Sequence, residues 1–464
     1  MSTGAPHPIH GTPATGEHRL SAGTIARYAA GSLGTGGFAT LPGLVLTYYL
    51  TDNLGVAAAF AGVVITIAKL WDVIIDPVIG ALTDHQRAST GSRRGYMLLG
   101  ACSLPFLFAL TFAVPPGLAP VIGALWVLVA FTATATAFSL FQVPYIALPA
   151  ELTPGYDERT RLLTWRVIVL TFAILLFGAG GPILRDLTGD PTTGYLLMGA
   201  VSGVTIGIGM LVATTVASRG ARQASRADVP RLDVRAHYVE GVRALRRSQP
   251  FRALLLTYVL QALATGLMLA GAQYLATWVM RSEAAVTLLF ASLIAPALVA
   301  APIWGVVARR IGKTRTFRLA STLFIIAAVV IAGALIAPGD WLYAPVALAG
   351  IAYAGMQSLP MARLPDVISA DADGTASAGA FSGVWTAGET VGFAISASAF
   401  TAVLALTGYI SSTADMSVTQ PDSAVAGIVI AFSIIPAVLT VLSLVSLSRY
   451  RLTKHDIDVV TPAG

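Results

Sequence analysis

The chain has 464 residues, 55% of them hydrophobic and only 11% charged, with a mean hydropathy of +0.75. Soluble domains are charged at about a quarter of their positions, so this composition excludes a disordered chain, a nucleic-acid binder and an ordinary soluble enzyme. The one cysteine, Cys102, forms no intramolecular disulfide and no metal site by itself. What remains is a polytopic protein of the lipid bilayer.

A helix needs roughly 20 apolar residues to cross a bilayer. Apolar stretches between polar or turn-rich breaks predict twelve spans: 24–50, 56–83, 95–114, 119–149, 160–184, 192–217, 252–280, 285–308, 316–336, 342–365, 376–407 and 423–447. They are rich in small residues, as at Ala29–Gly37 and Thr132–Ala137, which let helix backbones approach closely in lipid. Residues 1–23 contain His7, Pro8, His10 and Pro13 and read as a disordered tail without the apolar core of a signal peptide.

An even number of spans puts both termini on one side. That side receives 24 of the 29 basic residues, counting Arg27, Arg161, Arg252 and Arg318 at the edges of their spans; only Arg185 and Arg281 fall on the other, and Lys69, Arg166 and Arg363 are counted within spans. Basic loops stay in the cytoplasm, so both termini are expected there, in a multi-pass protein of the cell membrane. The longest polar interruption, 218–251, carries Arg219, Arg222, Arg226, Arg231, Arg235, Arg243, Arg246 and Arg247. It divides a six-span half at 24–217 from another at 252–447, with a tail at 448–464. Within it, His237–Arg247 reads either as a surface helix or as a solvated linker.

A weak repeat relates the halves. Span 2 ends Gly80-Ala-Leu-Thr-Asp84, followed by Arg87, Arg93 and Arg94; span 8 ends Gly305-Val-Val-Ala-Arg309, followed by Arg310, Lys313 and Arg315. Two related halves with a site between them are the plan of many secondary transporters.

Charges inside spans are costly, so each is a candidate functional residue. Span 2 holds the densest group, Lys69-Leu-Trp-Asp72-Val-Ile-Ile-Asp76-Pro77. Lys69, Asp72 and Asp76 fall within an arc of roughly 60° on one helix face. Two carboxylates one turn apart repel, and a bound cation or proton relieves that repulsion. Lys69 can neutralise one of them when no cation is present. The alternative is a static ion-pair network. Pro77 frees a backbone carbonyl of its helical partner, as an ion ligand or as a simple kink.

Elsewhere, span 4 carries Ser139, Gln142 and Tyr145, and span 5 carries Glu158, Arg159, Arg161 and Arg166. Span 11 carries Trp385, Thr386 and Glu389. Arg363, three residues before Asp366, is expected to pair with it at the membrane edge. Glu389 has no basic neighbour in sequence and needs a partner in space, a proton or a cation.

Lys69-Leu-Trp-Asp-Val-Ile-Ile-Asp-Pro-Val-Ile-Gly-Ala-Leu-Thr-Asp84 with Arg87, Arg93 and Arg94 resembles the signature of the glycoside-pentoside-hexuronide:cation symporters, the melibiose permease type within the major facilitator superfamily. Tyr48-Tyr-Leu-Thr-Asp52, Val143-Pro-Tyr-Ile-Ala-Leu-Pro149, Asp157-Glu-Arg-Thr160 with Arg166, Met356-Gln-Ser-Leu-Pro360 with Asp366, and Phe381-Ser-Gly-Val-Trp385 with Glu389 extend the likeness over all twelve spans. The resemblance implies an all-α fold of twelve transmembrane helices. It also implies a cation site at Asp72 and Asp76 with Ser139 as the span 4 hydroxyl and Lys69 as the paired base. Tyr48, Gln142, Tyr145, Arg166, Trp385, Thr386 and Glu389 become the substrate candidates. Gly80, Asp84, Arg87, Arg93, Arg94, Arg309 and Arg310 become the loop and gating candidates.

The sequence also departs from that pattern. Ile75 stands where melibiose permease has an asparagine, removing a neutral oxygen, so H+ is favoured over Na+ as the coupling ion. Gly36 and Gln142 stand at two carboxylates that grip sugar hydroxyls, Ile146 at a tryptophan and Thr390 at a lysine. The pocket expected is flatter and more apolar, with Arg166 and Glu389 as polar anchors, and Gly374–Gly379 differs from the family between spans 10 and 11.

The leading function is cation-coupled transport of a small glycoside-like or amphipathic solute, without other cofactor, metal or nucleic-acid partner, by a monomer. Export by H+ antiport competes with symport. An intramembrane enzyme is disfavoured because all six histidines fall in tails or loops and no P-loop, HExxH or nucleophile elbow occurs. A non-transporting sensor or scaffold would gain by losing the span 2 charges.

Overall fold

The computed structural model describes residues 19–153, 156–217, 243, 245–282, 284–369, 378–414, 416 and 418–450. The expected N-terminal tail up to residue 18, most of the 218–251 loop, residues 374–377 and the C-terminal tail beyond 450 lie outside the described residues.

Twelve helices long and apolar enough to cross a membrane follow in order among the described residues. They are α1 (Ala22–Asn53), α2 (Ala58–Thr90), α3 (Arg94–Thr111), α4 (Pro120–Leu152), α5 (Tyr156–Asp186) and α6 (Pro191–Thr214), then α7 (Gln249–Val279), α8 (Ala285–Ile311), α9 (Lys313–Leu335), α10 (Asp340–Ile368), α11 (Ala378–Leu406) and α12 (Asp422–Ser448). The fold class expected from composition is the one observed. The clearest difference is in α2, which runs seven residues past the expected end at 83. Apolar composition marks where lipid contact ends, whereas the helix continues through Asp84–Thr90 until Gly91 stops it at φ 74°, a left-handed position natural to glycine.

The packing of α1–α6 is repeated in α7–α12. In the first set α1 packs on α5, α2 on α4, and α3 on α4 and α6; in the second α7 packs on α11, α8 on α10, and α9 on α10 and α12. Three pairings join the sets: α1 with α7, α2 with α11 and α5 with α8. Local irregularities repeat too. Near the end of α1, Leu54 N–H reaches back to Tyr49 O at 3.1 Å, and near the end of α7, Met280 N–H reaches Leu275 O at 2.9 Å. These wider turns sit at matching places in the two sets, as π-bulges often do near functional positions.

Among the described residues, every hydrogen bond between the two sets lies at the end remote from the termini. Thr51 and Tyr274 hydroxyls meet at 2.5 Å, and Tyr409 donates to Asp52. Ser412 N–H donates to Thr51 O at 2.9 Å. Thr66 bonds Ser398, which donates to Gly62 O at 2.9 Å, and Thr287 donates to Ala179 O at 3.3 Å. Among the described residues, the ion pairs at the end bearing the termini stay within one set. Arg93 pairs with Asp84 at 2.5 Å and Glu151 at 2.9 Å, and Lys313 with Asp366 at 2.7 Å. Among the described residues the two sets are thus bonded to each other at the far end.

Candidate cation and solute site

α2, α4 and α1 build the inner face of the first set. Asp72 is the fifteenth residue of the 33-residue α2, roughly 21 Å along it at 1.5 Å per residue. It thus sits near mid-membrane. The helix continues unbroken through Pro77. The Trp71 indole donates to Thr136 of α4 at 2.9 Å, tying the two helices beside the acidic pair. The buried Ser139 hydroxyl faces Asp76. Oδ1 of Asp72 and Oδ1 of Asp76 are each buried without a hydrogen-bond partner. Buried polar atoms are nearly always satisfied, so these two carboxylate oxygens, on residues one turn apart, are exceptions. Lys69 stands near Asp72 but makes no contact ion pair with either carboxylate; its ammonium lies over the rings of Phe38, at 5.5 Å, and Phe131, at 5.6 Å. The neutralising lysine expected from the sequence is held on aromatic faces.

One or two turns toward the termini, Gln142 of α4 accepts a hydrogen bond from Thr35 of α1 at 2.8 Å. Thr35 had no sequence signal beyond its polarity. Tyr145, expected to cover a ligand, is fully buried: it stacks on Tyr28 at 4.7 Å, and its hydroxyl bonds Ser32 at 3.1 Å and Tyr28 O at 2.9 Å. Arg166 of α5 lies 5.6 Å from the Tyr145 ring, and its Nε is buried without a partner. Tyr145 thus supports Arg166 from behind. Gly36 faces α5: a Cβ there would meet Ala173 Cβ at 2.7 Å and Leu170 O at 2.9 Å. No larger side chain fits, so the change at this position is a helix-packing feature rather than a ligand missing from the pocket.

On the second set, Glu389 of α11 accepts from the Tyr258 hydroxyl of α7 at 2.6 Å, and Trp385 stacks on Tyr258 at 4.4 Å. Trp385 is only 2% exposed and belongs to a cluster with Phe251 and Phe381. It braces Glu389 and presents little surface to a solute. Thr386 is exposed beside it. Arg166 and Glu389 form no ion pair across the cleft. Tyr48 is placed elsewhere, packed edge-on to Tyr274 at 5.1 Å in the far closure. There it lines a cavity of about 440 Å³ with Asp52, Asn53, Arg185 and Trp278.

The loop candidates also find places. Arg93 is buried, bridging Asp84, Thr83 and Glu151, and Arg87 joins Glu151 at 3.0 Å. Arg94, Arg309 and Arg310 are exposed. A Cβ added at Gly80 would stand 3.8 Å from Val143 Cγ1 of α4, an ordinary contact. The expected Arg363–Asp366 pair is not the one formed. Asp366 takes Lys313 of α9, while Arg363 bonds Thr314 and lies 4.3 Å over the Tyr450 ring. The repeat explains the choice: in both halves a base at the start of the third helix holds an acid near the end of the fourth.

Two matching sets of six helices, closed at one end over buried carboxylates, define a transporter fold of the major facilitator type. The D-xylose–proton symporter has the same fold, with a TM-score of 0.64 at 13% identity over 93% of this chain and 98% of that one. The sequence matches the MFS/sugar transport protein family over residues 27–454, and the chain belongs to that family of transporters. It is a multi-pass membrane protein. An uncharacterised symporter of Synechocystis is 37% identical over 166 residues, 35% of this chain and 29% of that protein. A glucuronide carrier protein homolog of Escherichia coli is 23% identical over 308 residues, 66% of each chain. The match thus spans less than a third of the first relative and about two thirds of the second.

Proposed function

We propose that the chain is a cation-coupled symporter of a small glycoside-like solute, with H+ as the coupling ion. The observation that carries this reading is the pair of buried, unpartnered oxygens of Asp72 and Asp76. Either carboxylate suits a proton. Sodium wants several oxygens, whereas the neutral oxygen facing this pair is Ser139, and Ile75 supplies none. On this reading the ion needs no cofactor beside it, and one chain contains the whole path.

Arg166, with its buried free Nε, suits an acidic or carbonyl oxygen of the solute. Gln142, Thr35 and Glu389 supply mixed donors and acceptors for hydroxyls. A uronide-type glycoside meets both demands, and one relative is named as a glucuronide carrier homolog. The relatives' symporter names favour this over antiport export. The excess of basic residues at the terminal end supports both termini lying in the cytoplasm.

Purified protein in liposomes tests the reading. A panel of neutral glycosides, uronides and amphipathic amines is offered under imposed proton or sodium gradients. Accumulation of a glycoside driven by an inward proton gradient is expected. Extrusion of an amine instead, with no glycoside moved, would replace the reading with antiport.

A further inference from the structure

Lys69 lies one turn from Asp72 and two from Asp76 yet pairs with neither. Its ammonium is 5.5 Å from the centroid of Phe38 on α1 and 5.6 Å from that of Phe131 on α4. The rings are themselves near-parallel, 5.8 Å apart and inclined by 25°, and Phe138 backs Phe38 at 4.2 Å. This is the geometry of a cation–π site, which attracts most strongly where water is excluded. The charged group acting on the ammonium is Asp72 on its own helix. α1 and α4 face it with the rings of Phe38 and Phe131. Arg166 of α5 lies farther on, beside Tyr145.

We propose that Phe38 and Phe131 form a cradle that holds the Lys69 ammonium off Asp72 and Asp76, leaving those carboxylates to the transported cation. This rests on the reading of Asp72 and Asp76 as the cation site. A lysine free to fall on the pair would compete with the cation. The rings offer it an alternative seat, so a cation taking the carboxylates leaves the ammonium a place within the membrane interior. Phe38 and Phe131 are positioning residues: they touch Lys69 and act on the cation through it. Lysine, Phe38 and Phe131 all belong to the first six helices, so the exchange needs no movement between the sets.

The test uses the full chain, purified and labelled with [ε-¹³C]lysine. The sequence has three lysines, Lys69, Lys313 and Lys454, so three signals are assigned by single Lys→Arg changes. Ring currents displace the Lys69 ε-protons upfield when the cradle is occupied. Sodium alone is titrated at fixed pH, and protons alone without sodium. The upfield shift should grow as either probe fills the site. Phe38→Leu and Phe131→Leu should abolish the shift and raise the cation midpoint about tenfold, the scale of a desolvated cation–π contact. Phe131→Tyr keeps a π face and should retain both. A wild-type Lys69 signal without upfield displacement in any cation state overturns the cradle, whether or not the leucine variants fold. An unchanged midpoint in the leucine variants overturns it too, if Asp72→Asn and Asp76→Asn abolish the response. A cation response that survives both of those aspartate changes instead overturns the site on which the cradle rests.

Discussion

The carboxylate of Asp52 in α1 accepts a hydrogen bond from the hydroxyl of Tyr409, 357 positions away beyond the end of α11. Thr51, the preceding residue, donates to the other oxygen of Asp52 and bonds Tyr274 of α7. One buried acid thus gathers hydroxyls from both sets of helices and holds the far end shut.

Tyr409→Phe should loosen this closure. A hydrogen bond to a charged group contributes about 1.5–3 kcal/mol, a ten- to hundredfold change in the closed population. Hydrogen exchange over residues 409–414, where Ser412 N–H is bonded to Thr51 O, should quicken accordingly. Equal exchange in variant and wild type would show that the bond does not hold the end closed.

The second prediction concerns Gly62, where α2 and α11 cross. A Cβ there would meet Thr401 and stand 3.1 Å from Ser398 Cα. Gly62→Leu cannot keep this approach and should drive the sets apart at the far end. Distances between spin labels at residues 57 and 406 should lengthen, while the protein stays folded because each set keeps its own packing. An unchanged distance distribution would contradict the closure described.

Arg93 is buried between Asp84 and Glu151. Arg93→Ala leaves Asp84 without its base and Glu151 with Arg87 alone, and should cost about 1–3 kcal/mol. Thermal unfolding in detergent measures it. Glu151→Gln, which leaves the Asp84 pair in place, should cost less. The reverse order would mean that Asp84 contributes little.

Ile75→Asn should add a neutral oxygen beside Asp76 and confer a sodium response on transport. Uptake with sodium varied at fixed pH checks this. A variant as indifferent to sodium as the wild type would show that ion preference is set elsewhere.

Most spans were legible because lipid imposes a length and a composition on every crossing. Asp72 and Asp76 were legible because a charge in a span has few structural excuses. Their surroundings were not. Phe38 and Phe131 read as ordinary lipid-compatible residues, and nothing in sequence brings them to Lys69 from two other helices. Tyr258 as the partner of Glu389 is likewise a contact over 131 positions. Arg363 and Asp366 had the right spacing for a pair, yet Lys313 from the neighbouring helix reaches the acid first. Gly36 aligned with a ligand position, but its tight contact with α5 can be seen only in the packed structure. Tyr48 belonged to a motif whose place at the far closure depends on how α1 meets α7.

The central claim is that Asp72 and Asp76 couple solute movement to a cation. Liposomes containing wild type, Asp72→Asn or Asp76→Asn are loaded with the solute identified in the uptake panel and given an inward proton gradient. Wild type should accumulate solute above its external concentration. Each variant should still exchange labelled for unlabelled solute across the membrane, yet fail to accumulate it. Undiminished accumulation by both variants would contradict the account.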